Sequence, residues 1–170
     1  MLEELTQFLM AIGPLGLFIA AIIANASVLI PIPIDLILLT AMVPHNFFGL
    51  GIFSPLMLAI ITALGAAIGE MSGYFIGYAG RATYDKMKKK EISQLDSLKQ
   101  QLEKRGLPFL ILFATVPLPF DVIALAAGLI KYSKTKFFIG CFIGKTIRFI
   151  IVAYVAYYGI TWLMQLFSLG

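Results

Sequence analysis

Residues 30–43 read IPIPIDLILLTAMV, and residues 116–129 read VPLPFDVIALAAGL. The second stretch repeats the first 86 positions later: Pro31, Pro33, Asp35, Ile37, Leu39 and Ala41 are answered by Pro117, Pro119, Asp121, Ile123, Leu125 and Ala127. Each copy sets two prolines and a carboxylate inside a long apolar run. Proline has no amide donor and clashes with the preceding turn, so neither run can continue as one straight helix. Apolar segments broken by proline at matching places in two halves mark a mid-membrane site of the kind transporters build from repeats.

Composition agrees with a membrane setting. Of 170 residues, 60% are hydrophobic and 13% charged, and the mean hydropathy is +0.94, whereas a soluble domain is about half apolar and about a quarter charged. An integral membrane protein follows. The 13 basic residues all lie at or beyond Arg81. Eight fall between Arg81 and Arg105, and Lys131, Lys134 and Lys136 form a second group. They flank apolar segments, which is the positive-inside pattern and not a nucleic-acid footprint. This bias puts the 81–106 segment on the cytoplasmic side of a cell (plasma or inner) membrane. The opening MLEEL lacks the cationic start of a signal peptide and is expected to be retained.

In chain order, residues 14–43 are too few for two crossings, which need about 40 residues. A re-entrant hairpin is the economical reading, with its turn near Pro31 and Pro33, in backbone that protein or a wet cavity must cover. A full crossing plus a hairpin over 5–43 stays open and would move the N-terminus inside. Residues 56–80 form a crossing with Gly65, Gly69, Gly73 and Gly77 at every fourth position, a face that lets another helix approach closely. Residues 81–106 form a charged linker in which Ile92, Leu95, Leu98 and Leu102 fall near helical spacing, ended by Gly106 and Pro108. Residues 107–130 repeat the hairpin around Pro117 and Pro119, KYSKTK (131–136) is a basic turn, and 137–167 form the last crossing, with Trp162 as an interfacial anchor.

The second crossing echoes the first 75 positions later: Gly65 and Gly69 are matched by Gly140 and Gly144, Glu70 by Lys145, and Gly73 by Arg148. The expected fold is an all-α integral membrane protein in one domain, 1–170. It has two inverted repeats (14–80 and 107–167), each a re-entrant hairpin plus a transmembrane helix, joined by the amphipathic linker.

Asp35, Glu70, Asp121, Lys145 and Arg148 lie in apolar runs. Unpaired and unhydrated at mid-membrane, they would cost on the order of 12–17 kcal/mol together, as much as a whole fold's net stability. They must pair or face water. For Asp35 and Asp121 the plain reading is capping of a half-helix; the sharper one is proton uptake or a polar cavity used in transport. For Glu70 and Lys145 the plain reading is an interhelical ion pair. Arg148, three residues from Lys145 and on the same helix face, offers a fork suited to phosphate. Three acids against two bases leave one surplus negative charge, so proton coupling stays open. No zinc spacing, nucleotide loop or Ser/His/Asp set accompanies them, so no metal, cofactor or enzyme activity is expected. His45, Cys141 and the tyrosines at 154, 157 and 158 read as surface or packing residues.

IPIPIDLILL, GAAIGEMSGYFIGYAG, VPLPFDVIALAAGL and FFIGCFIGKTIRF together resemble the DedA/VTT superfamily, in particular its small YqaA-like members, over residues 14–160. The resemblance implies two inverted re-entrant hairpins and movement of lipids between leaflets: polyprenyl-phosphate carriers or phospholipids. It implies roles for Asp35, and for Lys145 and Arg148 in G-K-x-x-R. Many relatives carry Glu at the Asp35 position, and an arginine before the second proline pair where Phe113, Ala114 and Thr115 stand here. Arg148 would then have to serve, holding the phosphate with Lys145, while Asp35, Glu70 and Asp121 respond to protonation. The expected partners are membrane lipids with an anionic head group, with homo-oligomerisation left open. Two rival readings are a small-solute or ion transporter, and a non-transporting scaffold in which the buried charges form closed pairs.

Overall fold

The computed structural model describes residues 13–26, 34–41, 54–84, 100–117 and 120–168. Pro31, Pro33, Pro119, His45 and most of the linker lie outside the described residues, as does the side chain of Trp162. The described residues are almost all helical, with no strand among them. In chain order these are α1 (Pro14–Ala26), α2 (Ile34–Ala41), α3 (Pro55–Tyr84), α4 (Leu107–Thr115), α5 (Asp121–Leu129) and α6 (Lys134–Ser168); residues 100–105 are also helical.

Local chemistry sets the helix ends. Ser54 precedes Pro55, and its hydroxyl accepts the Met57 N–H at 3.2 Å, so a serine cap and a first-turn proline start α3 together. Gly106 takes φ 55°, a conformation costly for any residue with a Cβ, and separates the 100–105 helix from α4. Ser133 starts α6 three residues sooner than the basic-turn reading expected: its carbonyl accepts the Phe137 N–H at 2.8 Å. Lys134 and Lys136 therefore sit in the first helical turn and not in a loop.

Length sorts the helices. Pro55–Gly80 and Lys134–Gly159, each 26 residues, are long and apolar enough to cross a membrane. The others have 13, 8, 9 and 9 residues, roughly 12–20 Å at the α-helical rise, short of an apolar slab of about 30 Å. The break predicted at the second motif is present, since α4 ends at Thr115 and Val116 is extended before α5 begins at Asp121; the first, between α1 and α2, lies outside the described residues.

Packing crosses between the halves. α1 lies along α3 and α4 along α6, whereas α5 lies against α3 and α2 against α6. Glycines make the close approaches. A Cβ on Gly69 would stand 2.5 Å from the Ile22 carbonyl oxygen, and one on Gly65 would strike the Phe18 carbonyl. Gly77 receives the backbone of α5 at Leu125, and Gly73 receives Ala124. On α6, Gly140 meets Leu107 and Leu110, and Gly144 meets Ile111 and Ala114. The expected glycine seam is therefore shared: its first half serves α1 and its second half serves α5.

Two apolar cores result. One joins α1, α2, Leu58–Ala66 of α3 and Phe149–Ala156 of α6. The other joins α4, α5, Leu102, Ala67 and Tyr74 of α3, and Phe137 and Cys141 of α6. The long helices run antiparallel through both, and the charged positions 70, 145 and 148 fall where one core gives way to the other.

Candidate functional site

Glu70 and Lys145 meet at that boundary. Lys145 Nζ donates to Glu70 Oε1 at 2.7 Å, and both side chains are about 95% buried, with 4–5% exposed. Lys145 also donates to Asn25 Oδ1 at 2.5 Å. Asn25 orients its amide by donating Nδ2 to the Ala21 carbonyl at 2.8 Å, which turns Oδ1 toward the lysine. The Lys145 ammonium lies 5.8 Å from the centre of the Phe120 ring, near enough for a cation–π contribution. One cation thus ties α1, α3 and α6 together beside the first residues of α5. Next to it, Ser72 Oγ donates to the Ala26 carbonyl at 2.9 Å and satisfies an acceptor left over at the end of α1.

The second pair is more open. Arg148 Nη2 bonds Asp35 Oδ2, with the arginine side chain 19% exposed and the aspartate 32%. Asp35 lies in the first turn of α2, where unpaired N–H groups favour a carboxylate. The guanidinium is planar with five donors, and Asp35 takes one Nη2. Among the described residues, Asp35 Oδ1 and Glu70 Oε2 are buried without a hydrogen-bond partner. Each carboxylate therefore keeps one oxygen that pairs with a cation and one that can receive a proton, a water or a donor from a ligand.

Asp121 differs from its counterpart. It is the first residue of α5 and half-buried, and it makes no ion pair among the described residues. The place on α3 that corresponds to Arg148 on α6 is Gly73, which stands 3.9 Å (from its ideal Cβ position) from the Asp121 carbonyl oxygen. The long helix of the second repeat offers a cation to the first repeat's half-helix; the long helix of the first repeat offers the second's a glycine. Asp121 and Arg148 are both within electrostatic reach of Glu70, so the charged residues form one neighbourhood and not isolated points.

Four of the five charged residues expected at a site are thus brought together as two pairs. Asn25 and Ser72 escaped the sequence reading, although a polar residue in the apolar run PLGLFIAAIIANA was a readable signal. Cys141 is fully buried. Tyr154, Tyr157 and Tyr158 form an exposed ring cluster on α6, centroids 5.4–6.1 Å apart, on its outer face. No group of His, Cys, Asp and Glu that could hold a metal ion occurs among the described residues.

The family model described as the VTT domain matches residues 32–158. No curated protein and no solved structure matches the chain.

Proposed function

This chain belongs to the DedA/VTT family of membrane proteins, and from that premise we propose that it moves lipids carrying an anionic head group across the bilayer. The observation that carries the reading is the partly exposed Asp35–Arg148 pair, its arginine set inside the apolar length of α6. A guanidinium held there by a single carboxylate oxygen is the group a phosphate would seek, since fork-like pairing with phosphate is strong and directional. The head group would enter beside Arg148 while its prenyl or acyl tail stays in the membrane. Protonation of Asp35 at its unpartnered oxygen would loosen its hold on Arg148, which makes proton coupling a natural accompaniment. Lys145, Glu70 and Asn25 would be the fixed floor of the site, and Asp121 a second carboxylate at its other side.

The finer topology belongs to the same proposal. The short helices fall short of a crossing, and α2 and α5 each pack on the long helix of the other half. Glu70 and Lys145, equivalent by sequence, touch each other, as residues at a twofold axis do. These features support two inverted repeats with re-entrant hairpins, in one membrane domain with residues 81–106 on the cytoplasmic side of the plasma or inner membrane.

The test uses vesicles with a labelled lipid and reads head-group translocation. Arg148→Ala and Asp35→Asn should each slow it, Arg148→Ala by roughly 10–100-fold if a charge-assisted contact of about 1.5–3 kcal/mol is lost. The closed pairs favour one rival, a scaffold that uses its charges only to hold helices together. That rival predicts that vesicles holding the wild type translocate no faster than protein-free vesicles and that the joint variant Asp35→Asn with Arg148→Gln melts like the wild type, and such a result would end the transport reading.

A further inference from the structure

The turn between α5 and α6 carries three lysines that make no ion pair among the described residues. α5 closes with paired bonds, Tyr132 N–H to the Ala127 carbonyl at 2.9 Å and Lys131 N–H to the Gly128 carbonyl at 3.0 Å. This is the Schellman arrangement, whose left-handed residue is usually glycine. Here it is Lys131, with φ 56°. Lys134 and Lys136 then occupy the first turn of α6, which has no acidic residue, although the positive end of a helix dipole repels cations.

Three exposed lysines therefore stand at places where each works against folding, and none makes an ion pair among the described residues. The turn is nonetheless rigid. The Tyr74 hydroxyl donates to the Tyr132 carbonyl at 2.6 Å, and Lys131 Nζ lies 5.4 Å from the Tyr78 ring centre. A Cβ on Gly106 would lie 3.4 Å from the Tyr132 hydroxyl, so the 100–105 helix brings exposed Lys104 and Arg105 to the same end of the bundle, where Glu103 is the exposed acid among the described residues. The apolar crossing of α6 begins at Lys134, which puts this end at the depth of the head groups.

We infer that the 131–136 turn docks the phosphate of an anionic phospholipid in the surrounding leaflet, at a place separate from Asp35 and Arg148. The lysine ammonium groups supply the charge, and the helix start adds N–H donors suited to a phosphate oxygen. Fixed by Tyr74 and Tyr78, the site is pre-organised, and it would hold the bundle at a set depth in the leaflet.

The experiment takes the full chain in detergent and titrates phosphatidylglycerol or phosphatidylcholine, counting bound lipid by native mass spectrometry. The wild type should retain phosphatidylglycerol in preference, and high salt should weaken that preference. The variant Lys131→Gln/Lys134→Gln/Lys136→Gln should lose affinity by on the order of a hundredfold, taking each basic residue near an anionic surface as a factor of about five. The matching triple Arg variant should keep it. The Gln variant should lose the same amount of bound phosphatidylglycerol in an Arg148→Ala background as in the wild-type one, which separates this site from the transport proposal. An added arm with inorganic phosphate alone distinguishes a free anion from a lipid: the expected result is that phosphate competes only weakly. A thermal melt in phosphatidylcholine, unchanged or raised in the Gln variant, rules out misfolding; should the triple variant not fold, Lys134→Gln/Lys136→Gln is read instead. Equal retention of the two lipids by the wild type, or undiminished phosphatidylglycerol binding by the Gln variants, overturns the inference.

Discussion

Lys145 reaches Glu70 at 2.7 Å from a position 75 residues away, and the two occupy the same place in two glycine-spaced helices. Both are buried, so removing one leaves the other without its counter-charge, a loss of roughly 3–5 kcal/mol in a buried pair. Glu70→Gln and Lys145→Gln should each destabilise by that order. The joint variant, which leaves two amides able to bond, should recover most of the loss. Unfolding in detergent measures it, and simple additivity of the two single effects would refute the pairing.

Asn25 acts on the same ammonium. Asn25→Ala should cost roughly 1.5–3 kcal/mol, the range for a hydrogen bond to a charged group. Combined with Lys145→Gln it should cost less than the sum, because both changes remove one interaction. A cycle of four melts decides it, and additive effects would mean the contact carries no energy.

Glycine substitutions separate close approach from helix propensity. A Cβ on Gly77 would run into the Leu125 carbonyl, and one on Gly128 into that of Tyr74, whereas one on Gly80 meets nothing within 4 Å among the described residues. Gly77→Ala and Gly128→Ala should each cost about 1–3 kcal/mol or more through overpacking. Gly80→Ala, on the open face of the same helix as Gly77, should gain roughly 0.5–1 kcal/mol. The opposite sign at the two α3 positions is the expected readout by thermal melt.

Lys131 offers a stabilising change. Its φ of 56° costs an L-residue roughly 1–2 kcal/mol, and the contact with Tyr78 returns about 0.5–1 kcal/mol at an exposed site. Lys131→Gly should therefore raise stability by a few tenths to about 1 kcal/mol while weakening retention of anionic lipid. A lower melting temperature would show that the turn depends on the lysine itself.

Much of the architecture was legible before any coordinate. Composition separates membrane from water because apolar residues partition by their own transfer energy, wherever they sit in the chain. Proline blocks helix by its own ring, so the break before Asp121 could be placed from its motif. Glycine at every fourth position marks a face by periodicity alone, and that face is packed as expected.

The partners of the charged residues were another matter. Glu70 with Lys145 could be proposed from matched positions, but Arg148 with Asp35, 113 residues apart, could not. Nor did any local pattern say that Asn25 would turn its oxygen to Lys145, or that each half-helix would pack on the opposite half's long helix. Sequence by itself determined which solvent the chain lives in, where its helices stop and which faces are thin, since these follow from properties each residue carries locally. Only the tertiary structure decided which charges neutralise one another, because Coulomb attraction and hydrogen bonding act through space, between residues that the folding of the halves against each other brings within reach.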